Sequence, residues 1–127
     1  MAYILLVEDD PIALKVHYLM LKKLNCEINC AVNGSQALEQ CLNNYDLILM
    51  DCGLPDMDGF EVSKKIRHLE KSNQILPRPI IMLSAYSLDK YLEEECASAE
   101  INRFIAKPIK YEDLRDLVSC YLSIQLN

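Results

Sequence analysis

The chain has 127 residues, of which 51% are apolar and 25% are charged. This length and balance fit a single globular domain that buries a core. The formal net charge of −6 argues against nonspecific binding to nucleic acid, whose phosphates need clustered Lys and Arg. No apolar run reaches the roughly 18 residues of a transmembrane helix, and the start lacks a basic secretion-signal segment. We therefore expect one domain over residues 1–127, in the cytoplasm and without membrane contact.

The six cysteines do not follow the spacing of a disulfide or zinc framework. They are Cys26, Cys30, Cys41, Cys52, Cys96 and Cys120. No CxxC motif occurs, and no cysteine and histidine have zinc-finger spacing. Several lie at apolar-patterned positions, where a free cysteine behaves as a small hydrophobic residue. We expect reduced thiols.

Short apolar runs alternate with longer segments of helical periodicity, which is typical of a parallel sheet covered by helices. The predicted strands are Tyr3–Val7, Glu27–Val32, Leu47–Met50, Ile80–Ser84 and Phe104–Ala106. The predicted helices begin at Asp10-Pro11 and then cover about 35–42, 60–69 and 88–99, with a last one that carries Leu114, Leu117, Val118 and Tyr121. Residues 70–79 are predicted to be a loop. Five strand–helix units therefore follow one another without a linker or repeat.

Acidic and basic side chains come directly after three of the predicted strands. Glu8-Asp9-Asp10 follow the first strand, Asp51 ends the third, and Lys107-Pro108 follow the fifth. Open α/β sheets bind ligands at the carboxyl ends of their strands. Clustered carboxylates resist ionising together unless a cation neutralises them. The pattern indicates a divalent metal and a phosphoryl group.

Four motifs in this order carry a family resemblance. They are the acid pair Glu8-Asp9, the segment DCGLPDMDG from Asp51 to Gly59, Ser84-Ala85, and Lys107-Pro108. With them, the chain from about Tyr3 to Leu122 resembles a response-regulator receiver domain, the phosphoacceptor module of two-component signalling. The motif style is similar to receivers of hybrid sensor histidine kinases. The resemblance implies a flavodoxin-like (βα)5 fold, with a doubly wound parallel five-stranded sheet in the order 2-1-3-4-5. Separately, we expect no output domain in this sequence.

The resemblance also implies a Mg²⁺ site. Asp9 and Asp51 would bind the metal directly, Glu8 would bind it through water, and the backbone carbonyl of Gly53 would add one more oxygen. Oxygen ligands with retained waters are what Mg²⁺ prefers. An alternative for Glu8-Asp9-Asp10 alone is an acidic helix N-terminus.

Asp51 is the expected nucleophile, which would take a phosphoryl group from a phosphohistidine. Lys107, aimed inward by a cis peptide bond to Pro108, and the Ser84 hydroxyl would neutralise phosphoryl oxygens. The domain would also promote its own dephosphorylation. Gly53 offers no side chain to position water and Tyr86 could shield the phosphoryl group, so we expect hydrolysis over minutes or longer.

Two features leave alternatives open at the sequence level. Ser84 and the aromatic Phe104 would form the receiver switch, but Phe104 lacks a hydroxyl and could equally be a core or edge residue. The first helix places Ile12, Val16, Leu19 and Met20 on one face, and a second stripe combines Leu14, Tyr18 and Leu21, with His17 at its edge. This second stripe could dock the phosphodonor or pack against the last helix. His17 and His68 are predicted to be surface residues.

Two positions depart from simple expectations. Glu100 stands where many receivers carry a glycine before the last strand, so a positive-φ turn there would be strained. The segment Asp56–Gly59 could suggest part of a calcium loop, but the other ligand positions are missing. We predict a turn in which Asp58 or Gly59 leads into the third helix.

The expected phosphodonor is a histidine kinase or a histidine phosphotransfer domain, and the downstream partner is unknown. A stand-alone regulator, a relay intermediate and a receiver of a longer kinase are all compatible with the sequence. The fourth helix, fifth strand and fifth helix could support a homodimer. A receiver-like interaction module that works without phosphorylation is the main alternative function. A haloacid-type phosphatase is weaker, because Gly53 stands where its second Asp belongs.

Overall fold

The computed structural model describes residues 2–122. The strands are β1 (Tyr3–Val7), β2 (Glu27–Ala31), β3 (Leu47–Asp51), β4 (Ile80–Ser84) and β5 (Arg103–Ala106). The helices are α1 (Pro11–Lys23), α2 (Gly34–Gln40), α3 (Gly59–Ser72), α4 (Lys90–Ser98) and α5 (Tyr111–Leu122). The predicted elements are confirmed, with shifted ends. The predicted start of the loop at Glu70 was wrong, because α3 continues to Ser72.

All neighbouring strands pair in parallel, in the order β2-β1-β3-β4-β5. This confirms the flavodoxin-like α/β topology. Val7 at the end of β1 pairs with Met50, the residue before Asp51. The register therefore brings the residues that follow β1 next to the end of β3.

Apolar side chains cover both faces of the sheet. Alternate residues of β1 and β3 point to opposite sides, and helices cover both sides, so these strands are apolar on both faces up to Asp51 at the end of β3. One cluster contains Ile4, Leu6, Leu47 and Leu49 together with residues of α1 and α5. The other contains Leu5, Val7, Ile48 and Met50 together with residues of α2 and α3. The sheet is thus held rigidly between two helical layers.

Helix α1 turns the second stripe toward the core. Leu14, Tyr18 and Leu21 pack in the cluster that includes α5 residues. Of the two interpretations, packing against the last helix is therefore the one observed. The stripe that stays exposed consists of Ile12 (75%), Val16 (44%) and Leu19 (55%). The prediction that His17 lies at the surface was wrong, since its exposed fraction is 5%. Helical periodicity could not choose between two apolar stripes on one helix.

Glu100 adopts the left-handed conformation, with a φ of 56°. The chain therefore keeps the positive-φ turn that a glycine usually serves, with a glutamate in it. Arg67 donates to the Glu100 carbonyl from Nε at 3.2 Å and from Nη2 at 2.7 Å. These two hydrogen bonds hold the strained turn against α3.

Arg67, Glu70 and Arg78 form a buried ionic network before β4. Glu70 accepts from Arg67 Nη1 at 2.8 Å and from Arg78 Nε at 2.8 Å, and all three side chains are buried. Burial would raise the pKa of the Glu70 carboxyl, but the hydrogen bonds from Arg78 and Arg67 outweigh it and lower the pKa. The network closes the end of the sheet opposite the acidic residues.

All six cysteines lie in the described part of the chain and are free thiols, as predicted. Within residues 2–122, no helix combines the length and apolar character needed to cross a bilayer.

Candidate functional site

Three carboxylates meet at the carboxyl ends of β1 and β3. Glu8, Asp9 and Asp51 each contribute an oxygen, and these oxygens all lie within 4.8 Å of one another. Glu8 and Asp51 are buried, whereas Asp9 is exposed. The predicted meeting of the acid pair with Asp51 is therefore present, with one open side.

Lys107 reaches this cluster from the end of β5. Its Nζ atom lies 2.8 Å from Glu8 Oε1 and 2.9 Å from Asp51 Oδ1. The Lys107 amide donates to the Ser84 carbonyl at 2.7 Å, and the peptide bond to Pro108 is cis, as predicted. Lys107 is thus held in two ways: its backbone amide binds β4, and its side chain binds the two acids.

The charges of the site do not balance within the protein. Counted by formal charge, three carboxylates and one ammonium sum to −2. Burial and the close Glu8 carboxylate raise the pKa of Asp51 although Lys107 acts against them. Burial opposes the charge on Lys107, but Glu8 and Asp51 raise its pKa overall. For Asp51, burial is the largest cause and the Glu8 carboxylate adds to it, because one ammonium shared by two carboxylates does not offset both effects.

This donor set fits a hard divalent cation. It offers only oxygen atoms, and its net charge of −2 matches the charge of the ion. Mg²⁺ binds through a few carboxylates and keeps several waters, which the open side at Asp9 permits. The residues present therefore suit the predicted metal.

The segment after Asp51 is a tight turn, as predicted. Asp58 caps α3 by accepting from the Glu61 amide at 2.8 Å, and the Gly59 amide donates to the Cys52 carbonyl at 2.8 Å. A Cβ atom on Gly59 would stand 2.5 Å from the Asp51 carbonyl oxygen, so only glycine fits there. Gly53 has open space around its Cα.

Ser84 and Phe104 occupy different surroundings. Ser84 ends β4 in a buried position, and its Oγ accepts from the Tyr86 amide at 3.0 Å. Phe104 is partly buried and packs in the core cluster shared with Leu92, Cys96 and Ile101. In this conformation Phe104 packs against the edge of the core, which agrees with the interpretation of a core or edge residue.

Comparison with known families decides the relationship of the chain. The sequence profile of the response regulator receiver domain matches residues 4–119. The chain belongs to the response-regulator receiver domain family. Its topology and the acidic cluster with Lys107 are those that the resemblance implied.

Curated relatives of this receiver include histidine kinases. It is 43% identical over 121 residues to hybrid signal transduction histidine kinase B of Dictyostelium discoideum, covering 87% of the chain and 6% of that protein. It is 40% identical over 126 residues to hybrid signal transduction histidine kinase F of the same organism, covering 98% of the chain and 11% of that protein. The chain therefore spans only a small part of these relatives.

Solved structures of receivers superpose on this chain closely. The receiver domain of a sensor histidine kinase from Pseudomonas aeruginosa PAO1 has a TM-score of 0.83 and 35% identity, covering 97% of this chain and 98% of that one. That structure has a magnesium ion coordinated in its active site cleft. A Thermotoga maritima response regulator in complex with Mg²⁺ and BeF has a TM-score of 0.81 and 29% identity, covering 96% and 100%.

Sequence reasoning missed two features near the receiver site. His17 is buried, and its Nδ1 atom has no hydrogen-bond partner within residues 2–122. Burial lowers the pKa of His17, and Lys107 lowers it further. Asp56 binds the start of α2, a contact across 21 residues of sequence that no local pattern indicates. The apolar neighbours of His17 on α1 were its only sequence signal of burial.

Proposed function

We propose that this receiver accepts a phosphoryl group on Asp51 from a phosphohistidine donor in a Mg²⁺-dependent reaction. The observation that carries the proposal is the position of Asp51, buried, within 4.8 Å of two other carboxylates and 2.9 Å from Lys107. A carboxylate oxygen of Asp51 attacks the phosphorus, and an O–P bond forms. The P–N bond to the donor histidine breaks, and its electron pair remains on the imidazole nitrogen, which takes a proton.

Glu8, Asp9, Asp51 and Gly53 are the residues that would hold the metal. Asp9 and Asp51 would bind through carboxylate oxygens, Glu8 through water, and Gly53 through its carbonyl. When bound, Mg²⁺ supplies positive charge that stabilises the phosphoryl oxygens. Without that charge, the carboxylates of the cluster would repel them.

Lys107 and Ser84 would bind the remaining phosphoryl oxygens. The ammonium of Lys107 already contacts the acceptor carboxylate, so it lies beside the atom that attacks. Ser84 Oγ accepts from the Tyr86 amide, and as a hydroxyl it can also donate its proton, which would go to a phosphoryl oxygen. Both groups neutralise charge that the transferring group carries.

The phosphodonor would be a histidine kinase or a histidine phosphotransfer domain that docks on α1. The exposed side chains of Ile12, Val16 and Leu19 follow helical spacing, as expected for a contact with partner helices. The proposed docking stripe therefore differs from Leu14, Tyr18 and Leu21, whose side chains pack in the core.

Six free thiols favour the cytoplasm as the compartment.

Intact-mass analysis after incubation with acetyl phosphate and Mg²⁺ tests the proposal. The native chain should gain one phosphoryl mass, and Asp51→Ala should gain none. If the native chain gains no mass and does not bind beryllofluoride, the interaction-module alternative replaces phosphorylation. The presence of the acid pair, Asp51 and Lys107 in one cluster disfavours that alternative.

A further inference from the structure

Asp56 joins the loop after β3 to the first turn of α2. Its Oδ1 accepts from the Gly34 amide at 2.7 Å, and its Oδ2 accepts from the Ser35 amide at 2.9 Å and from Ser35 Oγ at 3.0 Å. Amide groups at a helix start lack partners in their own helix. One carboxylate from a distant loop therefore satisfies two of them. We call these three hydrogen bonds the Asp56 clasp.

The clasp coincides with a close approach of the two segments. A Cβ atom on Gly34 would stand 2.6 Å from Met57 Cγ and 2.9 Å from Val62 Cγ2. Met57 and Val62 both belong to the core cluster on this face of the sheet. The loop therefore rests directly on α2, and the absence of a side chain at Gly34 permits this packing.

The Asp56 clasp holds one end of the stretch that contains Gly53. At the other end, the Cys52 amide donates to the Leu83 carbonyl at 2.9 Å and the Cys52 carbonyl accepts from Gly59. Gly53 itself is exposed, with open space where a side chain would be. The stretch that contains Gly53 is consequently anchored on both sides, at Cys52 and at Asp56.

We propose that Asp56 is a positioning residue that sets the selectivity of the metal site for Mg²⁺ over Ca²⁺. The proposal rests on the function proposed above, in which the Gly53 carbonyl is a ligand. Mg²⁺ demands near-octahedral oxygens at about 2.0–2.1 Å, whereas Ca²⁺ accepts flexible geometry at about 2.3–2.6 Å. A loop that is fixed at both ends should favour Mg²⁺, which has the stricter geometry. A loosened loop should favour Ca²⁺, which accepts more varied geometry.

The clasp is charged throughout the neutral pH range. Hydrogen bonds from the Gly34 and Ser35 amides lower the pKa of Asp56 to about 2. Its state therefore does not change under conditions suited to metal-binding measurements, and a comparison at one neutral pH reports geometry.

Calorimetric titration of Mg²⁺ and Ca²⁺ into native protein, Asp56→Ala and Asp89→Ala tests the role. Asp89 is a matched control, because it also caps a helix with a carboxylate, accepting from the Leu92 amide at 2.8 Å. Both substitutions remove one negative charge, which affects two divalent ions alike. Partners that orient metal ligands typically contribute roughly tenfold or more in affinity. We expect Asp56→Ala to lose about tenfold in Mg²⁺ affinity and clearly less in Ca²⁺ affinity, and Asp89→Ala to keep the native ratio.

Hydrogen exchange in EDTA provides a readout without metal. Asp56→Ala should speed amide exchange at Gly34, Ser35 and residues 52–54 and 56–58, whereas Asp56→Asn, which keeps one acceptor, should be intermediate in exchange and in selectivity. An unchanged Mg²⁺/Ca²⁺ ratio in Asp56→Ala, while the native chain binds Mg²⁺, would overturn only this role. A native chain that does not bind Mg²⁺ would overturn the proposed metal site and this role with it.

Discussion

The ammonium of Lys107 lies 2.9 Å from the Asp51 carboxylate, although the two residues are 56 positions apart in sequence. Lys107 also binds Glu8, so its charge serves two acids of the cluster at once. The ammonium of Lys107 offsets part of the repulsion among these carboxylates. It consequently stabilises the site and competes electrostatically with a bound cation.

Lys107→Met should therefore change metal binding and phosphorylation in opposite directions. Loss of a positive charge from the cluster should raise Mg²⁺ affinity, because the carboxylates then attract the cation more strongly. Phosphorylation by acetyl phosphate should slow by roughly a hundredfold, because one group that binds the developing phosphoryl charge is missing. Calorimetry and intact-mass time courses measure the two effects. Lys110→Met, which removes an exposed lysine from the same loop, should leave both nearly native. A parallel loss of both properties would contradict the opposed effects.

Glu70→Ala should destabilise the fold by roughly 3–5 kcal/mol, because it leaves Arg67 and Arg78 buried without their shared partner. Urea denaturation at pH 7 measures the loss. Glu61→Ala is the control, because its pair with Lys65 at 3.9 Å is half exposed and should contribute below about 1 kcal/mol.

The pH dependence of Glu70→Ala has a defined sign. The pKa of Glu70 is lowered in the folded protein, so its stabilisation is present above the unfolded value of about 4.3. It is lost as the pH falls through the folded pKa. The stability gap between native protein and Glu70→Ala should thus shrink in acid. A gap that widens as the pH falls would contradict the ionised network.

The strand ends, and with them most of the site, could be predicted from sequence. The strands that carry the site, β1, β3, β4 and β5, are short and largely apolar, and Glu8, Asp51, Ser84 and Lys107 stand directly at or after their ends. Their meeting depends on strand order, which the family resemblance supplied and periodicity alone could not. The Glu70 network escaped prediction because its partners come from separate segments and have no common spacing.

Glu100→Gly should stabilise the fold by about 1 kcal/mol. A non-glycine residue at a φ of 56° carries local strain, which glycine removes. The hydrogen bonds from Arg67 go to the Glu100 carbonyl and would persist, and the lost ion pair with Lys71 is exposed. Thermal denaturation measures the change. Glu94→Gly, in the exposed interior of α4, should instead destabilise by about 1 kcal/mol. Destabilisation by Glu100→Gly as well would contradict strain at this turn.

His17→Leu should stabilise the fold by about 1–2 kcal/mol at pH 7. A buried nitrogen without a partner is costly, and leucine fills a similar volume without it. The pKa of His17 is lowered in the folded protein, so the unfolded chain takes up a proton first as the pH falls below about 6.5. The native protein should therefore lose stability in that range relative to His17→Leu. Urea denaturation at pH 7 and in mild acid measures both effects. A stability difference that is independent of pH would contradict a buried neutral histidine.

Val16→Asp should block phosphotransfer from a histidine donor without affecting phosphorylation by acetyl phosphate. Val16 stands between Ile12 and Leu19 on the exposed stripe of α1, where a charge would disrupt an apolar contact with partner helices. The small donor needs no such contact, so intact-mass adducts should form as in the native chain. Transfer from a phosphorylated histidine phosphotransfer domain should slow at least tenfold. Leu76→Asp, at an exposed apolar residue of the loop before β4, should leave both reactions native. Equal loss with both donors would show that Val16→Asp damages the site itself, and native rates with both would remove α1 as the docking surface.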